Sequence, residues 1–175
     1  MSESIKKFIA QRAELLATLF LTRREEVEIV RLGDKSDELF DFYINVKAAE
    51  GKGNTFGRIG VKTYGVSPAI ADAAAAKKLV HKRIEDPQAM PRIPIPVVVM
   101  LFSMENDEGY YGWLKEPQVQ GEHPLLVIPQ TVDMKPLDTK AVNEIVDRSL
   151  EWSTRLWTLL NRYDFGKKKG KAGVG

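Results

Sequence analysis

Apolar and polar residues alternate strictly in two neighbouring stretches. In the first, Phe40, Phe42, Ile44 and Val46 are interleaved with Asp41, Tyr43, Asn45 and Lys47. In the second, Arg58-Ile59-Gly60-Val61-Lys62-Thr63-Tyr64 repeats the pattern. Period two predicts strands with one buried face. Between them lies Gly51-Lys52-Gly53-Asn54, whose residues tolerate positive φ, so the pair reads as an antiparallel hairpin. With the turn centred between Gly51 and Lys52, Asp41 falls opposite Lys62. Directly opposed side chains have Cβ atoms about 5 Å apart. One face then gathers a carboxylate, a carboxamide from Asn45 and the Lys62 amine. Such a face is either a metal-and-phosphate site or a solvated hairpin surface with a cross-strand ion pair.

The pattern continues on both sides. Ile5, Phe8, Ile9, Leu15, Leu16, Leu19 and Phe20 recur at helical spacing, predicting a helix from Ser4 to about Arg24, capped by Ser2 or Ser4. Glu14 sits beside this apolar stripe. Glu26 to Leu32 alternates and reads as a strand pairing with the first hairpin strand. Ser67-Pro68-Ala69 predicts the start of an alanine-rich helix to about Arg83. After a proline-punctuated loop, Ile95 to Phe102 is almost wholly apolar, which suits a central strand covered on both faces. Tyr110 to Leu114 reads as its return strand, and Leu125 to Ile128 as a last short one. Asp138 is placed to cap a long helix reaching about Arg162. The expected fold is a single α/β domain. Its central mixed sheet contains an antiparallel meander flanked by helices. It spans residues 1–165, and residues 166–175 form a flexible Lys/Gly-rich tail.

Composition narrows the chemistry. The 175 residues suffice for one domain with a real core, and there is no cysteine, so disulfides and thiolate metal sites are excluded. No apolar run approaches the ~20 residues of a membrane span, and charged residues interrupt the N-terminal apolar positions, so a cytoplasmic protein with no membrane partner is expected. Formal net charge is +2, but Lys167, Lys168, Lys169 and Lys171 in the tail supply four positive charges, leaving a slightly acidic body. The body therefore carries no global electrostatic signal for nucleic acid. His81 and His123 lack metal-ligand spacing and read as surface residues. Trp113, Trp152 and Trp157 read as core. No Ser/His/Asp set, phosphate-binding glycine loop or dinucleotide fingerprint is present.

Several phrases carry a resemblance. Arg12-Ala13-Glu14-Leu15, Asp41-Phe42-Tyr43-Ile44, Gly57-Arg58-Ile59-Gly60-Val61-Lys62, Ile95-Pro96-Val97-Val98-Val99-Met100 and Tyr110-Tyr111-Gly112-Trp113 follow one another in a fixed order. Together they resemble a prokaryotic family of domains of unknown function, DUF4365. That family looks like a branch of the restriction-endonuclease-like, or PD-(D/E)XK, nucleases. The resemblance implies a restriction-endonuclease-like fold and metal-dependent phosphodiester hydrolysis. Asp41 and Glu14 would hold Mg²⁺ or Mn²⁺, Lys62 would orient water or phosphate, and Asn45 and Arg58 would be accessory. DNA is the implied partner.

One departure matters. The acid or amide two residues before the lysine falls on Gly60, which has no side chain. The expectation is therefore a weak nuclease or a catalytically degenerate DNA-binding descendant. The alternatives are a non-catalytic module with a protein partner and a homodimer formed through the tryptophan-bearing last helix.

Overall fold

The computed structural model describes residues 2–31, 40–47, 56–84 and 92–168, with side chains left aside at 56 and 163–168. Helix α1 (Glu3–Leu21) is capped by the Ser2 hydroxyl, which accepts from the Ile5 amide. Strands β1 (Val27–Arg31), β2 (Phe42–Lys47) and β3 (Phe56–Val66) form an antiparallel meander. Helix α2 (Ala73–His81) crosses over to β4 (Val97–Ser103), which lies parallel to β3. Strands β5 (Gly109–Gln120) and β6 (His123–Val127) return antiparallel, and a short β7 (Lys135–Pro136) pairs with β5. Helix α3 (Thr139–Lys168) closes the chain. The sheet is mixed and seven-stranded, in the order β1-β2-β3-β4-β5-β6. This is the single α/β domain that the alternation predicts.

Alternation along the strands sorts the core into two layers. Phe42, Ile44, Ile59, Val61, Val98 and Met100 pack on one face against Ala13 and Ala17 of α1 and Val142 and Ile145 of α3. Val97, Val99 and Leu101 pack on the other face with Ala76 and Val80 of α2. All of β4 is buried, as its unbroken apolar run requires. Two close approaches pin β3 to the helices. A Cβ at Gly57 would sit 3.1 Å from Ser153 Oγ of α3, and one at Gly65 would sit 2.5 Å from Ile9 Cγ2 of α1. Arg12 ties α1 to the β4–β5 turn, donating to the Asp107 carboxylate at 2.6 Å and to the Met104 carbonyl at 3.1 Å.

Several expectations shift. Helix α2 begins at Ala73 rather than Ser67, because Asp72 is the residue that caps it, accepting from the Ala75 amide at 2.7 Å. Ser67 and Pro68 stay outside the helix, and the Ala69 amide donates instead to Glu105 Oε2 at 2.9 Å. Strand β5 runs well past Leu114, to Gln120, because its second half pairs with β6. Helix α3 starts on the Asp138 cap, with the Ala141 amide donating to Oδ1 at 2.7 Å, and continues beyond Arg162 to Lys168. Trp113 and Trp152 are buried, but Trp157 is 45% exposed because it lies on the outer part of α3. His81 and His123 are at the surface. The turn at Gly51 to Asn54 and the end of the lysine tail lie outside the described residues. Among the described residues no helix is long and apolar enough to cross a membrane.

Candidate functional site

The β2–β3 ladder fixes the first part of the site. Phe42 pairs with Val61 and Ile44 with Ile59, as the hairpin reading requires, but the ladder ends there. Phe40 packs with the opposite core layer from Phe42, so the alternation breaks at Asp41, which reaches Lys62 through its side chain. Asp41 stands just before β2, and its amide donates to the Val61 carbonyl at 2.8 Å. Its carboxylate turns back onto β3. Oδ1 accepts from Lys62 Nζ at 2.7 Å, and Oδ2 accepts from the Thr63 amide at 2.6 Å and the Thr63 hydroxyl at 2.8 Å. Both partners of the ion pair are largely covered, with 20% and 22% of the Asp41 and Lys62 side chains exposed. A carboxylate holding two side-chain donors and a backbone amide is a strong internal brace.

Glu14 does not join it. Helix α1 packs on the Phe42 face of the sheet, and Glu14 Oε2 lies 3.8 Å from Arg31 Nη1. Arg31 is the cross-strand partner of Phe42, so this pair belongs to that face too. Lys62 belongs to the alternate set on β3 with Tyr64, over whose ring its Nζ lies 5.8 Å from the centroid. Glu14 thus pairs with Arg31 on the α1 face, while Lys62 belongs to the opposite set of β3. A helical period places Glu14 beside the apolar stripe, but does not say which sheet face the stripe will cover.

The position of the missing acid is covered. A Cβ on Gly60 would lie 3.0 Å from Phe40 Cδ1 and 3.1 Å from Cγ, so the Phe40 ring rests over this glycine. The remaining polar residues of this face form a separate group. Arg58 donates from Nε to Asn45 Oδ1 at 3.1 Å and lies 4.5 Å above the Tyr43 ring. Asn45 and Arg58 are direct cross-strand partners, so this contact follows from register. Both assigned accessory residues are thus held by each other.

The fit to a divalent cation is poor. Mg²⁺ needs hard oxygen ligands at roughly 2.0–2.1 Å. Both Asp41 oxygens are engaged by donors, Gly60 offers none, and Glu14 faces Arg31. Among the described residues no group of three His, Cys, Asp or Glu side chains could hold a metal. Sequence reasoning also missed Thr63, whose amide and hydroxyl close the Asp41 carboxylate; nothing in the motif singles it out.

A second polar feature lies farther along β3. A cavity of about 440 Å³ opens at its carboxyl end, between α1 and α2, with Lys6, Thr63, Tyr64 and Arg83 among its lining. Elsewhere Lys115 is 6% exposed and donates to the Ile93 carbonyl, and burial pulls its pKa below the usual lysine range. Comparison of the chain with protein-family models, curated proteins and solved structures finds no match.

Proposed function

We propose that this protein is a nuclease-like module that binds nucleic acid without cutting it. The observation that carries the reading is the closed state of the Asp41 carboxylate. Its oxygens serve Lys62 and Thr63, and the Phe40 ring lies over the glycine where a second ligand would stand. The order of helix, three antiparallel strands, crossover helix and parallel apolar strand supports the restriction-endonuclease-like resemblance. The binding surface would be the outer face of β2 and β3. There Tyr43, with the Arg58 guanidinium 4.5 Å above its ring, makes an aromatic–cation platform near Lys47 and Lys62. Bases stack on such platforms without sequence preference, each for about 1–3 kcal/mol. The cell compartment in this reading is the cytoplasm.

The test uses a fluorescent single-stranded oligonucleotide and, separately, plasmid DNA with Mg²⁺ or Mn²⁺. Wild type is expected to bind the oligonucleotide, more weakly as salt rises. Tyr43→Ala and Arg58→Ala are each expected to weaken binding several-fold, and plasmid is expected to stay intact. Cleavage that disappears in Asp41→Ala would overturn the reading in favour of an active nuclease.

A second reading has one observation in its favour. Ile5, Phe8, Leu15 and Leu19 form a stripe on α1 with 50%, 62%, 54% and 64% of each residue exposed. Such a stripe suits a protein partner, and Trp157 and Leu160 on α3 are also exposed. Light scattering across a concentration series tests the homodimer form of this reading.

A further inference from the structure

The cavity at the end of β3 stands apart from the Tyr43–Arg58 platform, and nothing in the nuclease resemblance uses it. Its position has a topological cause. Strands β3 and β4 are parallel, α1 covers one face of the sheet, and α2 covers the other. Residues of both helices line a crevice at the carboxyl end of β3, and open α/β sheets place ligands in crevices of this kind. The walls are mainly apolar, from Ile9, Ala10, Val66, Pro68 and Leu79. Gly65 lets α1 come close, since its bare Cα faces the Ile9 side chain and carbonyl. At about 440 Å³ the space suits a small organic molecule.

The charge in this cavity is one-sided. Lys6 comes from α1 and Arg83 from the end of α2, and no acidic side chain appears among the described lining residues. The Arg83 guanidinium donates from Nη1 to the Leu79 carbonyl at 3.3 Å, a neutral partner. Lys6 meets Glu3 at 3.8 Å, with 61% and 91% of the two side chains exposed, so water already competes for that pair. Lys6 on α1 and Arg83 just past α2 thus both line a largely apolar space, with no carboxylate among its described lining residues. The Tyr64 hydroxyl donates to the Arg83 carbonyl at 3.1 Å, which fixes the end of α2 against β3.

We propose that this cavity is a binding site for a small organic anion: an apolar body between Ile9, Leu79 and Pro68, and one anionic head, carboxylate or phosphate monoester, between Lys6 and Arg83. The proposal goes beyond nucleic-acid binding and stands without it.

The experiment measures binding of naphthyl phosphate, naphthoate, neutral naphthol and inorganic phosphate to the full chain by calorimetry and naphthyl fluorescence. The two naphthyl anions are expected to bind at least about tenfold more tightly than naphthol or inorganic phosphate. Their ranking tells which head the site prefers. Lys6→Glu and Arg83→Glu are each expected to weaken both anions by about tenfold or more and to leave naphthol unchanged. Leu79→Trp, which fills the cavity, is expected to abolish all naphthyl binding. Lys6 is exposed on a helix surface, so its reversal keeps the fold, and a melting curve of the variant that matches wild type verifies this. Equal binding of naphthol and the anions, indifference to Lys6→Glu in a folded variant, or no naphthyl binding by wild type would each overturn the proposal.

Discussion

Two polar regions adjoin on β3 at Thr63 and are built in opposite ways. At the Asp41 corner every strong group has an internal partner: one carboxylate meets an amine, an amide and a hydroxyl. At the far end of the strand, Lys6 and Arg83 line a cavity without a carboxylate among its described walls. A group satisfied within the fold must break that bond before it can bind anything else, whereas a solvated cation gives up only water and a weak pair. The corner with the recognisable motif is thus the poorer ligand site. The crevice with no motif is the better one.

The sharpest way to break this contrast is to disturb the packing that shapes the crevice. Gly65→Ala places a Cβ against Ile9 Cγ2 and the Ile9 carbonyl, at 2.5 and 2.8 Å, so α1 must shift. The expected cost is about 3 kcal/mol, read by urea denaturation, with loss of naphthyl anion binding. An unchanged midpoint would mean that α1 is not held at β3 by this contact.

Next in size is the corner itself. Asp41→Ala leaves the Thr63 amide and the Lys62 amine without their acceptor, and is expected to cost about 2 kcal/mol of stability. Under the same contrast, Mn²⁺ is expected to leave the wild-type melting temperature unmoved. A metal held by the native state would raise it. Gly60→Glu sharpens the point, because the new side chain must displace the Phe40 ring and still finds Asp41 occupied. A clear Mn²⁺-dependent rise in melting temperature for that variant would show that the corner can reopen.

The smallest expected effect comes from an ion pair outside both regions. The Arg24 guanidinium donates to Glu26, and this hydrogen bond holds the Glu26 carboxyl below its ordinary range. A lowered folded pKa contributes stability that is present above the unfolded value of 4.5 and lost as pH falls through the folded one. Glu26→Gln is expected to cost about 1 kcal/mol at neutral pH and nearly nothing in strong acid, measured by denaturation across that range. A pH-independent difference would place the effect in packing rather than charge.

The corner was legible in the sequence because strand period and turn position together dictate which residues oppose each other. The pairing of Phe42 through Lys47 with β3 follows from that count, and it brings Asp41 within reach of Lys62. Glu14 was not, since the sheet face that a helix covers is decided by distant partners such as Val142 and Ile145. Phe40 lies one residue before Asp41, yet its position over Gly60 depends on how the chain enters β2. The crevice was invisible for a plainer reason. Lys6 sits on α1 and Arg83 just past α2, far apart in the chain, and they line one cavity only after both helices have docked. The late start of α2 was readable in principle, because Asp72 three residues before Ala75 is a capping spacing.

The parallel pairing of β3 with β4 also has a temporal consequence. The β1-β2-β3 meander joins neighbours in sequence, but β4 can reach β3 only after the long α2 crossover has closed. Contacts between distant chain segments carry a larger loop-closure cost and slow the folding of proteins that depend on them. The meander is therefore expected to form early and the β3–β4 ladder late. Ile44→Val should slow folding, while Val99→Ala should mainly speed unfolding, as read from the two arms of a chevron plot. On that order of events the Asp41 brace exists before the crevice does, and the walls carrying Lys6 and Arg83 close around it only when the last central strand locks in.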